Sequence, residues 1–504
     1  MAVEIFKTSI LKPAPSGSAP PAAAAAPDEM VPLTIFDKAA FDLHVAVLYA
    51  FQAPMPGNEA MKEGLAKALA HFPHLAGRIV TDDQNRPCIH LNGAGVRVIE
   101  TYVGATLSER LPLDPSEELR QLRPGIEDVE EVMQIQLNRF ACGGLVIGQT
   151  AHHRVADGQS MSAFFVAWAR LVRASGQVDP PPFHNRAAIA VPRSPPRCEH
   201  DHRDIEFRGS AAASSSPPLP LVSVSSIDNM VVRFSSDFLA RLKRAVCAGE
   251  EANHNLRYST FECLLAHLWK KVTVARGLGE NETTQVRVAV NGRARMKPPV
   301  PMEYFGNLVL WAYPKLAVKD LIDRSYGFVA KTIHDAVAKV DDSYFQSFVD
   351  FGELVKEEGE LVGTAPEIGN SLSPNLEVDS WLRFRFHDLD FGGELKRGFK
   401  ERGKVVSTME SQNNLNNVPP ASSAKTPQTP SMTSCRKKKS DDATFLQDLR
   451  DHIDEFVHAS MDEHKSCFTK TVQKMFGMSK IVAERASNQN GVESSLPLKT
   501  ISSE

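Results

Sequence analysis

The chain has 504 residues, 42% of them hydrophobic and 23% charged, with 57 lysines and arginines against 61 aspartates and glutamates for a formal charge of -4. At roughly 100–200 residues per domain, this is too long for one ordinary core and suits two large domains with appendages. The near-balanced charge lacks the basic footprint that nucleic acid demands, which excludes nucleic-acid partners.

In chain order, residues 32–191 alternate short β-rich runs (HVAVLYAF, VMQIQLNRF, GGLVIGQT) with helical patterns (NEAMKEGLAKALAHF, SMSAFFVAWARLVRA). Period-2 and period-3.6 patterns interleaved in this way predict an α/β domain over 1–191. Residues 192–226, with SPPR and SAAASSSPPLPL, carry little periodicity and read as a surface linker between folded units. A second α/β unit over 227–403 follows, with the strand NMVVRFS, the helices SSDFLARLKRAVCAG and YSTFECLLAHLWKKVTVARG, and the strand VRVAV. Residues 404–440 are rich in Ser, Asn, Pro and Thr and are expected to be disordered, KVVSTMESQNNLNN being no β-run. Over 441–480, Leu449, Ile453, Phe456, Met461, Phe468, Val472 and Met475 recur at near-helical spacing and predict an amphipathic helix, followed by a disordered 481–504. The acidic flanks of that helix suit a separate or self-associating element.

The seven cysteines are scattered and include no CxxC, against both a disulfide framework and a zinc ribbon, and point to a reducing compartment. The N-terminus MAVEIFKTSI lacks a basic region followed by an apolar stretch, and no apolar run approaches 18 residues, so a soluble, cytoplasmic protein with no membrane partner is expected.

The segment richest in chemistry is NRFACGGLVIGQTAHHRVADGQSMSAFFVAW, in which a buried-type strand runs through a polar turn into an amphipathic helix. His153 lies in that turn, and histidine is the side chain poised to take a proton near neutral pH, as acyl transfer requires. Asp157 can brace the turn by accepting backbone N–H groups or pairing with an arginine, and Gly158 lets the chain enter the helix. Alone, the spacing His-x-x-x-Asp is weak, and a histidine that merely satisfies backbone groups fits it better. No HExxH or third ligand accompanies the pair, so no metal site is expected. The run Cys198-Glu199-His200-Asp201-His202 resembles a ligand list but falls in the Pro-rich crossover and reads as a solvated loop, and His152 should point away from His153.

Set in its surroundings, this segment resembles the plant BAHD acyltransferases, whose HxxxDG follows a CGG-containing strand and precedes a helix with FxxxWA. The matches are Cys142-Gly143-Gly144, His153 to Gly158, and Phe164 or Phe165 with Trp168. The resemblance extends to VPLTIFDKAAF, HFPHLAGRIV, YSTFECLLAHLWK, VNGRARMKPPVPMEYFGN and VDSWLRFRFHDLDFG, and so covers nearly everything from Ile5 to about Gly393. It implies two chloramphenicol-acetyltransferase-like α/β domains with mixed β-sheets and a channel between them. His153 is then the general base, and Asp157 points away from substrate toward Arg293 of Asn291-Gly292-Arg293. Thr34, Ser380 and Trp381 are the implied substrate-channel residues, although Trp381 fits a core aromatic equally well. Asp390 and Gly392 belong to a structural DFG whose continuation, Gly393-Glu394, departs from the family's pattern. The second domain therefore reads as truncated, with a foreign segment in place of its last strands.

The implied co-substrate is acyl-CoA, with no bound cofactor, and a monomer is expected. The flavour of the N-terminal half is similar to grass enzymes that transfer hydroxycinnamoyl or benzoyl groups to tryptamine, putrescine or agmatine. The expected reaction is therefore N-acylation. Transfer to a hydroxyl such as that of shikimate or quinate, or an inactive family fold whose tail mediates interaction, are the alternatives.

Overall fold

The computed structural model describes residues 2–15, 28–111, 117–174, 178–203, 205–208, 227–230, 232–248, 257–356, 362–364 and 373–392, with short strands at 405–406 and 500–503. Two compact units interleave along the chain: Met1–Leu221, Thr284–Lys315 and Thr332–Asn413 in one, Val222–Thr283, Leu316–Lys331 and Asn414–Glu504 in the other.

The first unit is organised by strands β1 (Val3–Leu11), β2 (Glu29–Pro32), β3 (His44–Phe51), β4 (Arg78–Thr81), β5 (Pro87–Leu91), β6 (Val96–Val103), β7 (Met133–Phe140) and β8 (Leu145–His152). Its helices are α1 (Ile35–Ala39), α2 (Asn58–His71), the single turn α3 (Glu117–Arg120) and α4 (Gly158–Arg173). A mixed sheet runs β1-β6-β7-β8-β3, with β6 and β7 parallel and the other pairs antiparallel. The β7 and β8 runs are buried almost throughout, so they read as continuous apolar stretches rather than as alternation.

Helices α2 and α4 cover one face of this sheet. The side chains of Phe164, Phe165 and Trp168 are wholly buried, and the Trp168 indole N–H donates to the Met61 carbonyl at 2.9 Å. Burying an indole while satisfying its one donor is the arrangement that makes tryptophan tolerable in a core. Farther along the chain, strand Thr283–Asn291 pairs antiparallel with Val309–Ala312 and parallel with Leu376–Val378. In the second unit, Ser236–Cys247 and Thr260–Ala275 are helices capped by Ser235 and Ser259.

Several expectations need correction. The strand expected at NMVVRFS is confined to Ile227–Met230 among the described residues. The crossover is tied down as far as Arg208: Arg193 Nε donates to Asp350 at 2.6 Å, and Phe207–Arg208 pairs with Val362–Gly363. Within it His202, far from solvated, is 1% exposed and bonds to Glu206 at 3.1 Å and Ser347 at 3.0 Å. Val405–Val406 is a short strand paired antiparallel with Leu48 and Tyr49, where consecutive β-branched residues extend the edge of β3. Thr500–Ser503 pairs parallel with Ile227–Met230. The rest of the expected disordered 404–440, all of the helix at 441–480 and most of 481–504 lie outside the described residues, as do 209–226 of the crossover.

Candidate active site

The turn between β8 and α4 is built from the Asp157 carboxylate outward. Asp157 is the N-cap of α4, with Oδ1 accepting from the Ser160 N–H at 2.9 Å, and its negative charge sits at the positive end of the helix. The Arg293 guanidinium donates to both of its oxygens, at 2.8 and 3.0 Å, and the Leu308 N–H adds a bond at 3.1 Å. Burial pushes the Asp157 carboxyl up, but the guanidinium and these hydrogen bonds outweigh it and hold the group below the usual aspartate range. Arg293 is fully buried, donates also to the Ser160 hydroxyl and the Tyr304 and Gly306 carbonyls, and is braced by Asn291 Oδ1. The expected Asp157–Arg293 pair is thus present as a bidentate, buried bond through the two terminal guanidinium nitrogens.

His153 lies four residues before this cap. Its N–H donates to the Leu43 carbonyl at 2.9 Å, and its own carbonyl accepts from Asn307 Nδ2 at 2.9 Å. Asn307 is held by Asp37, which in turn takes a hydrogen bond from Arg186 at 2.8 Å. The His153 ring meets Phe41 edge-on at 5.5 Å, and burial lowers its pKa from the ordinary histidine value, opposed by Asp157. The imidazole is therefore neutral at pH 7 and free to accept a proton. His152 points the other way, against His44, and burial takes its pKa down to about 3.

His153 faces a cavity of about 170 Å³, room for a small aromatic molecule rather than a water or two. Tyr49, Gln149, Trp381, Phe384 and Phe386 line it together with Asn307, Glu377, Asp379 and Ser380. Among the described residues the wall contains three carboxylates, Asp157, Glu377 and Asp379, and no lysine or arginine. Burial raises Glu377 to about 7 despite the Arg287 guanidinium at 3.3 Å, and it also raises Asp379, which both Arg287 and His153 oppose. Asp379 lies at the cavity wall and keeps solvent-accessible surface.

The other expected site residues are distributed unevenly. Ser380 and Trp381 are at the cavity, and Trp381 also packs on Phe384 and Phe386 as a core aromatic does. Thr34 is not at the wall; its hydroxyl donates to Asp37 at 2.8 Å and caps α1. Asp390 pairs with Arg173 at 2.8 Å, and Gly392 adopts φ +86 beside that side chain, which fastens the DFG turn to the end of α4. Asn307, Gln149, Glu377 and Asp379 went unassigned in the sequence. The carboxylates flanking Val378 in EVDSW were the visible signal.

Residues 1–397 match the profile of the Transferase family, which includes the BAHD acyltransferases. The chain belongs to this family. Over 397 residues this Transferase family member is 50% identical to tryptamine hydroxycinnamoyltransferase 2 of Oryza sativa subsp. japonica, covering 78% of this chain and 88% of that one. It is 46% identical to tryptamine benzoyltransferase 2 of the same plant, covering 77% and 87%. Its fold is similar to that of vinorine synthase, with a TM-score of 0.56 at 22% identity over 78% of this chain and 86% of the other. Among the described residues, no group of three or more His, Cys, Asp or Glu side chains could hold a metal ion, and no helix is long and apolar enough to cross a membrane.

Proposed function

We propose that the protein transfers a hydroxycinnamoyl or benzoyl group from a CoA thioester to an amine of the tryptamine type, in the cytoplasm. Relatives named for tryptamine acylation support the acceptor class. The observation that carries the reading is the charge of the cavity. With Asp157 paired to Arg293 and Glu377 paired to Arg287, Asp379 is the wall carboxylate left to meet a cation. A monoammonium on an aromatic body fits that balance and the aromatic wall; shikimate, itself a carboxylate at neutral pH, would be repelled by it.

His153 is the proposed base and Asp157 the proposed brace. An ammonium must first lose one proton, to solvent, before it can attack, and the carboxylates hold it until then. The neutral amine nitrogen adds to the thioester carbonyl carbon as His153 takes its second proton. The tetrahedral oxyanion then collapses, the C–S bond breaks, and the CoA thiolate receives the proton from the imidazolium. The Ser380 hydroxyl, at the cavity wall, is the proposed donor for the oxyanion, a role worth a few kcal/mol of barrier.

A thiol-release assay with 4-hydroxycinnamoyl-CoA against tryptamine, agmatine, putrescine and shikimate tests this reading. Turnover is expected with tryptamine, and Asp379→Asn should raise the amine KM more than it lowers kcat. Transfer to shikimate with none to amines would overturn it.

A further inference from the structure

We propose that Gln149 selects the acyl donor by bonding a ring hydroxyl, so that the preferred group is 4-hydroxycinnamoyl rather than benzoyl. This rests on the acyl-transfer reading above but concerns a different wall residue from the carboxylates.

Gln149 is on β8, with Ala151 and His153 following at every second residue, and all three line the cavity. It is 2% exposed, and its Oε1 is buried without a hydrogen-bond partner among the described residues. Across the strand pair it faces Val47, next to Tyr49. Over Tyr49 lies Phe386, with ring centroids 5.6 Å apart, and Trp381 packs on Phe386 at 5.6 Å. Beside the Tyr49 phenol, Gln149 thus brings a buried amide oxygen, without a partner among the described residues, to a slot walled by aromatic rings. A buried amide oxygen left unpaired costs free energy, and a substrate hydroxyl recovers it.

The slot also has a length. Four residues of strand separate Gln149 from His153, roughly 13 Å. A trans 4-hydroxycinnamoyl group measures about 9 Å from its carbonyl carbon to its hydroxyl oxygen at ordinary bond lengths. Ended by a hydrogen bond of about 2.8 Å, it spans the strip. A benzoyl group is shorter by a vinyl unit and has no hydroxyl to offer. Because a phenol both donates and accepts, either orientation of the Gln149 amide suffices.

The test uses the full chain without acceptor, titrated calorimetrically with 4-hydroxycinnamoyl-CoA, cinnamoyl-CoA and benzoyl-CoA. The wild type should bind the hydroxylated donor roughly tenfold more tightly than cinnamoyl-CoA, and Gln149→Leu should erase that ratio. If Gln149→Leu fails to fold, Gln149→Met and the wild-type donor series carry the test. Equal binding of the three donors by the wild type, or a ratio kept in the variant, overturns the proposal while leaving acyl transfer intact. So does a variant that alters discrimination between tryptamine and its N1-methyl derivative but not between donors. Failure to bind any acyl-CoA overturns the acyl-transfer reading as well.

Discussion

Burial tunes the titrating residues of the cavity in a useful direction. With the His153 pKa below that of an ordinary histidine, lowering the pH protonates the base late. The acid limb of kcat/KM should fall with a midpoint below 6.5, and His153→Ala should abolish transfer while keeping the thermal midpoint. A wild-type midpoint above 6.5 would contradict the assignment. Glu377 moves the other way, from 4.5 to about 7. A carboxyl raised on folding favours the native state below about pH 4.5, and that contribution is lost as pH rises through about 7. Thermal melts across this window should show Glu377→Gln gaining on the wild type as pH rises; parallel curves would refute the burial argument. Asp157 lies with Arg293 in a bidentate buried pair. Removing its charge strands a buried guanidinium, so Asp157→Asn should cost about 3–5 kcal/mol in denaturant unfolding. In sequence this pair could be reached only through family resemblance, because 136 residues separate the partners.

At the scale of elements, the start of α4 sets the site. A Cβ on Gly158 would come within 2.7 Å of the Phe384 ring, which itself walls the cavity. Gly158→Ala should therefore shift that ring, lowering stability by about 1–3 kcal/mol and kcat with it. Unchanged kinetics in a folded variant would show that Phe384 yields without consequence. Periodicity located most elements well: HVAVLYAF is β3 to the residue, and the helix expected at NEAMKEGLAKALAHF ends one residue earlier. It erred where tertiary contacts outvoted composition. The Pro-rich crossover looked solvated, yet Arg193, Glu199 and His200 bond to Asp350 and Ser347 of the helix Asp342–Leu354. Backbone N–H groups in a proline-rich stretch have no ladder to join, and a neighbouring carboxylate and hydroxyl take them instead.

For the whole molecule, the family match stops at residue 397, and the chain next pairs through Val405–Val406 at β3. A chain ending after residue 406 keeps this cover; one ending after residue 403 bares the β3 edge, where unpaired backbone groups invite association. The shorter truncation product should aggregate more readily by light scattering, while both keep the same kcat per soluble molecule. Equal solubility would mean the two valines protect nothing.

What the sequence determined by itself was local or carried by ordered motifs: the α/β class, the strand and helix periods, the family, the candidate base at His153 and its brace. These are legible because a periodic pattern and a turn residue act over a few positions of chain. Only the tertiary structure decided what those motifs enclose. Glu377 and Asp379 reach the His153 cavity because Leu376–Val378 pairs with Thr283–Asn291. Gln149 keeps a buried, unpartnered amide oxygen at a cavity that β3 and aromatic side chains from 381–386 also line. Charge balance and an unpaired buried acceptor are properties of neighbours brought together in space, and no window of sequence contains them.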